Sequence, residues 1–154
     1  MRGSVTVHFD TDARTVWNLV SDITRIGEFS PETFEAHWLG GATGPAVGAR
    51  FRGHVRRNEM GPTYWTTCRV RYCEPERDFG FDVLIHDRPT NTWRYRLAPS
   101  GSGTDVTESF QLAHNPLLRV YWTLLGPFRG KRNVNDMRRT LERMKAVAEK
   151  DAQE

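Results

Sequence analysis

The residues from Arg132 to Lys150 constrain the fold more than any other stretch of this chain. Apolar side chains recur there at spacings of three, four, three and four residues, at Val134, Met137, Leu141, Met144 and Ala148. This periodicity predicts a helix with a single apolar stripe. Burial of each large side chain in the stripe contributes at most roughly 1.5–3 kcal/mol. The helix therefore needs a broad apolar surface to pack against.

Strand patterns in the preceding residues supply that surface. They are predicted at residues 4–9, 33–39, 50–57, 64–74, 79–86, 92–98 and 105–112. Two short helices separate the first two strands, one beginning near Asp12 with Asp10 or Thr11 as its cap, the other over 24–29. The later connections are too short for crossover helices, so an antiparallel meander is expected. The pattern predicts one α+β domain over residues 1–154.

Alternation along the strands separates an apolar face from a polar face. The apolar face collects Phe51, Gly53, Val55, Cys68, Val70, Tyr72, Phe79, Phe81, Val83, Ile85, Trp93, Tyr95, Leu97, Val106, Glu108, Phe110 and Leu112. The other face is rich in Arg. Asp82 lies on the strand between Arg69/Arg71 and Arg94/Arg96, which favours cross-strand ion pairs over a nucleic-acid surface. Strict alternation puts Trp65 on the polar face, although a bulge would turn it inward.

Composition and charge narrow the class of protein. Hydrophobic residues make up 38% and charged residues 27%, and the net charge of +3 permits an anionic partner without demanding one. No apolar run approaches the roughly 18–20 residues of a membrane span, and the first residues begin a strand pattern and not a signal peptide. Cys68 and Cys73 are predicted on opposite faces of one strand, as free thiols suited to a cytoplasmic protein.

The sequence shows no clear motif for metal binding, nucleotide binding or nucleophilic catalysis. The five histidines (His8, His37, His54, His86 and His114) lack the spacing of a zinc site. The glycine-rich loop over 40–49 lacks the Gly-Lys-Ser/Thr ending of a phosphate loop, and no serine lies in a G-x-S-x-G elbow. We therefore expect no metal, no cofactor and no nucleic-acid partner.

The stretch Asn115 to Phe128, NPLLRVYWTLLGPF, is apolar on nearly every side of a helix. A helix of this kind needs burial on more than one side. It fits a lid over a cavity, a dimer contact, a membrane-touching patch, or the first part of the terminal helix. Gly126-Pro127 is predicted to break it from that helix, because proline lacks an N–H and clashes with the preceding turn.

Taken together, the element order and four stretches resemble a known superfamily. The stretches are VWNLVSDITRIGEFSPE, CRVRYCEPERDFGFDV, NTWRYRLAPSGSGTDVTESF and RNVNDMRRTLERMKAVAE. They resemble the SRPBCC or START-like superfamily of Bet v 1 allergens, polyketide cyclases and lipid-transfer domains, above all its large, mostly uncharacterised bacterial group "polyketide cyclase/dehydrase and lipid transport". The resemblance implies a helix-grip fold, in which a sheet of about seven strands curls around the terminal helix and encloses an apolar cavity.

Mapped onto this chain, the resemblance implies a set of cavity residues. They are Trp38, Phe51, Val55, Tyr72, Phe81, Val83, Trp93, Tyr95, Glu108, Phe110, Met137 and Leu141. The alternative is that these aromatic residues simply fill the core. A cavity of this kind is typically apolar with a few polar groups.

Three functions compete. The leading hypothesis is binding of a small hydrophobic or polycyclic ligand, such as a lipid or polyketide, for storage, transport or sensing. The second is a polyketide aromatase/cyclase-type enzyme that positions its substrate, weakened by the outward placement of most arginines. The third is a membrane- or protein-docking member, similar to ubiquinone-binding relatives, that uses residues 115–128. The chain would be a monomer or a homodimer.

Glu108 is the most unusual polar residue, because alternation places it on the apolar face between Val106 and Phe110. Burial disfavours its charged form, so we predict a raised pKa or a hydrogen bond from Tyr95 or Arg138. Glu108 and Tyr95 are then the candidate ligand anchors and, in the enzyme hypothesis, the candidate catalytic residues. The alternative is a bulge that rotates Glu108 outward, or a purely structural hydrogen bond.

Overall fold

The computed structural model describes residues 2–56, 61–113 and 116–154, without the side chains of residues 118, 119 and 121–133. A first strand, β1 (Arg2–Phe9), leads into a helix, α1 (Ala13–Val20), and a 3₁₀ helix (Ile23–Glu28). Six strands follow: β2 (Thr33–Trp38), β3 (Arg50–Arg56), β4 (Thr63–Glu74), β5 (Asp78–Ile85), β6 (Arg88–Ser100) and β7 (Gly103–Leu112). The last element is a helix, α2 (Pro116–Asp151).

The seven strands form one curved antiparallel sheet in the order β1-β7-β6-β5-β4-β3-β2. Strands β2 to β7 are a meander, and β1 pairs with β7 along its whole length. The α+β helix-grip architecture predicted from the sequence is confirmed. The polar face carries cross-strand ion pairs: the expected one at Asp82, which lies 3.6 Å from Arg71, and a further one between Arg94 and Asp78 at 2.5 Å.

Helix α2 packs its predicted stripe against the concave side of the sheet. Met137, Leu141, Met144 and Ala148 are all at most 1% exposed, whereas Val134, at the start of the stripe, is 37% exposed. Polar contacts hold the end of the helix in place. The Lys145 ammonium donates to the His8 carbonyl at 2.8 Å, the Glu149 carboxylate accepts from the Asp10 N–H at 3.0 Å, and Arg25 pairs with Asp151 at 2.9 Å.

The predicted break at Gly126-Pro127 is wrong, because α2 runs as one helix from Pro116 to Asp151. A proline removes one backbone donor from the helical ladder, and a helix of 36 residues keeps its remaining hydrogen bonds on both sides. The stretch 116–128 is thus the first part of the terminal helix. Leu117 and Val120 are 81% and 61% exposed there. The lid, dimer-contact and membrane-contact alternatives depend on Asn115 and on side chains of 116–128. Asn115 and most of those side chains lie outside the described residues. No helix within the described ranges is long and apolar enough to cross a membrane.

A bulge between Val70 and Tyr72 corrects two predictions on β4. The register shifts there, so that Tyr72 pairs with Gly80 and Cys73 with Phe79. Tyr72 therefore leaves the apolar face, and the Arg94 guanidinium lies 3.9 Å from its ring centre. Cys73 turns inward instead and shares the inner face with Cys68. Both thiols are free as predicted, although they do not lie on opposite faces.

A second register shift pairs Val83 with Asn91 and Leu84 with Pro89, so the extra residue, Thr90, lies in β6. Ile85, at the end of β5, is 58% exposed and is therefore not part of the apolar core in which alternation placed it. The helix cap was also misplaced by the sequence pattern. The cap of α1 is Asp12, whose carboxylate accepts from the Thr15 N–H at 2.8 Å. Asp10 is instead engaged through its backbone with Glu149.

Trp65 lies on the polar face, as strict alternation predicts. Its ring stacks on His54 with centroids 4.1 Å apart and planes 11° apart, and the Arg52 guanidinium lies 4.8 Å from its centre. A cation over an aromatic face is electrostatically attracted to it. Trp65 therefore belongs to an exterior aromatic and cationic cluster and does not enter the core.

Candidate functional site

A cavity of about 350 Å³ lies between the inner face of the sheet, helix α2 and the segment from the 3₁₀ helix to β2. This volume is near the lower end of the range of small-molecule sites, about 300–1,000 Å³. The cavity exists because α2 packs mainly along β1, at one edge of the curved sheet, and leaves space over the middle strands. The side chains there are large, yet they leave this space unfilled.

Most of the predicted cavity residues line it. The described lining includes Phe51, Val55, Phe81, Val83, Trp93, Tyr95, Glu108, Phe110 and Met137. Aromatic contacts hold several of these rings. Trp93 and Phe110 have centroids 4.8 Å apart, and Phe51 and Phe81 have centroids 5.1 Å apart. Rings packed in this way present a rigid apolar wall to a ligand.

Three predicted residues do not line the cavity. Tyr72 faces outward because of the β4 bulge. Trp38 packs edge-on against Phe51 with centroids 5.8 Å apart, so it supports the wall from behind. Leu141 is fully buried in the core next to the cavity, where helix and sheet are in contact.

Sequence reasoning missed or left out a larger group of lining residues. They are Ile26, Ser30, Pro31, Glu32, Thr33, Gly53, Tyr64, Thr66, Cys68, Asn91, Leu112, Asp136 and Thr140. Gly53, Cys68 and Leu112 already stood on the predicted apolar face. Asp136 and Thr140 could have been found from the helix, because they are four residues apart on one face and Thr140 is three residues after Met137. No sequence signal marked residues 30–33, which follow the 3₁₀ helix.

Glu108 and Tyr95 form the polar group inside the cavity. They pair directly across β6 and β7, and the Tyr95 hydroxyl donates to Glu108 Oε1 at 3.0 Å. Glu108 is 2% exposed and Tyr95 6%. Arg138, the other donor considered for Glu108, is exposed on the helix. The inward orientation of Glu108 and its hydrogen bond from Tyr95 are therefore as predicted.

The second carboxyl oxygen of Glu108 has no hydrogen-bond partner among the described residues, although it is buried. Burial raises the pKa of Glu108 to about 8, against the smaller opposing effect of the Tyr95 hydrogen bond. Burial, the charge of Glu108 and their hydrogen bond raise the pKa of Tyr95 well above its usual value. At neutral pH the pair is therefore mostly uncharged. A buried oxygen without a hydrogen-bond partner is destabilising unless a further group forms a hydrogen bond with it.

The ionisable lining residues are acidic or neutral. They are Glu32, Tyr64, Cys68, Tyr95, Glu108 and Asp136, and the described lining contains no Arg, Lys or His. Burial raises the pKa of the Cys68 thiol to about 12, so this group is a neutral thiol. The described lining thus offers no cation to balance an acidic ligand. Within the described ranges no three His, Cys, Asp or Glu side chains are arranged to hold a metal ion.

A curved antiparallel sheet that grips a long helix around an internal cavity defines a helix-grip protein. Comparison with family models matches residues 2–149 to the family described as polyketide cyclase / dehydrase and lipid transport. The chain belongs to this family, as the resemblance in its sequence indicated.

Solved structures agree with this assignment. A polyketide cyclase-like protein of Corynebacterium glutamicum is 30% identical over 96% of this chain and 85% of its own, with a TM-score of 0.54. A protein of Nitrosomonas europaea has a TM-score of 0.69 at 12% identity over 100% and 97% of the two chains. An AHSA1-like protein of Aeromonas hydrophila has a TM-score of 0.64 at 19% identity over 100% and 96%. The last two share the fold alone. No curated protein matches the chain.

Proposed function

We propose that this chain, as one domain over residues 1–154, binds a small, mostly apolar molecule in the cavity. The observation that carries the proposal is the combination of an aromatic wall with one buried polar pair, Tyr95 and Glu108, in which Glu108 Oε2 has no partner among the described residues. Ligand sites are characteristically apolar spaces with a few placed polar groups. A core built only for stability would close such a space, since unfilled volume is destabilising. Family membership supports the same function.

Two experiments test the proposal. Native mass spectrometry of the purified protein asks whether a small molecule copurifies. Titration with the neutral, polarity-sensitive naphthyl ketone Prodan asks whether an apolar probe binds saturably, and we expect dissociation constants in the micromolar range, about −8 kcal/mol. The absence of both copurified molecules and saturable binding would contradict the proposed function.

Filling the cavity should separate binding from folding. Val83 lines the cavity and is only partly buried, so Val83→Phe should occupy ligand space and weaken Prodan binding by at least about tenfold. Overpacking would cost about 1–3 kcal/mol of stability. The matched control is Val47→Phe, because Val47 is 69% exposed and away from the lining. Equal binding by both variants and the parent would place the probe elsewhere.

A second candidate function is catalysis by substrate positioning with Glu108 as general acid. It is favoured by the position of the Glu108 carboxyl, which is 2% exposed and lines the cavity, and burial there raises its pKa to about 8. An acid whose pKa is near the working pH is suited to proton transfer. Against it, no arginine lines the described cavity. Faster cyclisation of a linear polyketone with the parent than with Glu108→Gln, at equal substrate binding, would support the enzyme.

A further inference from the structure

Two features of the cavity restrict the class of ligand: the acidic side chains of its described lining, and Glu108 Oε2, which has no partner among the described residues. We propose that the site selects an uncharged molecule, with an apolar body and an oxygen acceptor such as a carbonyl at one end, and that the protonated Glu108 carboxyl donates to this oxygen. The proposal rests on the proposed function and adds to it the polarity of the ligand. It predicts that anionic analogues of the same shape are rejected.

The first argument is the hydrogen bonding of Glu108. Tyr95 donates to Oε1, which is thus the accepting oxygen of the carboxyl group. In the protonated acid the O–H is then on Oε2, the oxygen that lacks a partner among the described residues. A buried O–H requires an acceptor. A ligand carbonyl supplies one, and no proton has to move for the bond to form.

The second argument is charge. A ligand carboxylate or phosphate would enter beside Glu32, Asp136 and Glu108 and would find no basic side chain in the described lining. Transfer of an unpaired anion out of water is strongly unfavourable. A ligand ammonium would have to lose its hydration and, to pair with Glu108 itself, would also have to displace the proton of that carboxyl group. An uncharged acceptor avoids both costs.

The third argument concerns pH. Burial holds Glu108 protonated, with a pKa of about 8. The other ionisable groups that face the cavity are Tyr95 and Tyr64 from the sheet, the Cys68 thiol, Glu32 after the 3₁₀ helix and Asp136 on α2. About nine-tenths of Glu108 is protonated at pH 7 and about one-tenth at pH 9. If only the acid binds the ligand, binding should be about tenfold weaker at pH 9.

The test uses three naphthalene probes of matched shape: 2-acetylnaphthalene, 2-naphthoate and 2-(aminomethyl)naphthalene. Equilibrium dialysis at pH 7 should give at least about tenfold tighter binding for the ketone than for either charged probe. The ketone should bind about tenfold more weakly at pH 9. In Glu108→Gln the side-chain carbonyl can still accept from Tyr95 and the amide N–H can donate at any pH. Ketone binding by this variant should therefore persist at pH 9.

The outcomes separate the two proposals. If none of the probes binds, the proposed function fails and this inference fails with it. If naphthoate or the amine binds as tightly as the ketone, or ketone binding by the parent is the same at pH 7 and 9, the inference fails while the binding function stands. Glu142→Gln, at an exposed carboxyl group on α2, is the matched control and should behave as the parent. If Glu108→Gln does not fold, the inference is decided by the parent protein alone, from its binding of the three probes at pH 7 and of the ketone at pH 9.

Discussion

Replacing Glu108 by Gln should flatten the pH dependence of the protein's stability. The Glu108 carboxyl has a pKa of about 8 in the folded protein, against an ordinary value of 4.5. Between these values the folded state keeps a proton that the unfolded state has released. The contribution of Glu108 to stability is therefore fully present below about pH 4.5 and is lost as the pH rises through about 8. At about 1.36 kcal/mol per pH unit, the loss amounts to about 5 kcal/mol.

The Gln variant does not titrate, but its buried amide N–H lacks an acceptor among the described residues, which costs about 1–3 kcal/mol. The protonated Glu108 of the parent carries a similar cost, because its buried O–H also lacks an acceptor among the described residues. The two proteins therefore differ mainly in pH dependence, and the parent should lose stability relative to the variant between pH 5 and pH 8. The difference in their free energies of unfolding should change by about 4 kcal/mol over this interval. Subtracting one curve from the other removes the titration of groups common to both.

Urea denaturation at pH 5, 6, 7 and 8, followed by tryptophan fluorescence, measures this difference. Glu142→Gln is the control, because Glu142 is exposed on α2 and its substitution should leave the curve parallel to that of the parent. A constant difference between the parent and Glu108→Gln from pH 5 to 8 would refute the reasoning. Glu108 would then be ionised in the folded protein, with a partner that its environment in this structure does not supply.

Two further predictions concern backbone packing and thiol chemistry. Gly103→Ala should lower the free energy of unfolding by about 1–3 kcal/mol, because a Cβ there would collide with the Phe9 carbonyl oxygen. In urea denaturation the control Gly44→Ala should be as stable as the parent, since no atom lies within 4 Å of its Cβ. Equal stability of the two variants would contradict the β1–β7 contact. At pH 8, Ellman's reagent should label the half-buried Cys73 before Cys68, which is 3% exposed and whose pKa is raised to about 12. Cys73→Ser should leave only the slow phase, and fast labelling in that variant would count against the inward position of Cys68.

Alternation located Glu108 correctly because β7 is regular from Val106 to Phe110, so each step of one residue changes the face. The same rule failed for Tyr72, which follows a register shift in β4. Ile85 also stays outside the core, because it lies at the exposed end of β5. A bulge adds one residue to a strand and reverses the face of every residue after it. Nothing in the local pattern of β4 marks where that extra residue lies.

The residues that line the cavity also fall into those that alternation could predict and those that it could not. Those from regular strand segments, such as Phe81, Trp93 and Phe110, could be predicted. The residues between the 3₁₀ helix and β2, such as Ser30 and Pro31, line the cavity only because the chain folds back against it there. That placement depends on contacts between distant segments, which no periodicity records.

The amino-acid sequence determined the elements, their order and the apolar stripe of the last helix, because periodicity and turn residues act over a few neighbouring positions. It also determined that a carboxyl group would face the apolar side of the sheet. The tertiary structure decided where the bulges fall, that α2 continues through Pro127, and that a space remains beside Glu108. These features arise from the fit between a curved sheet and a helix, which is a property of the whole chain and of no single segment of it.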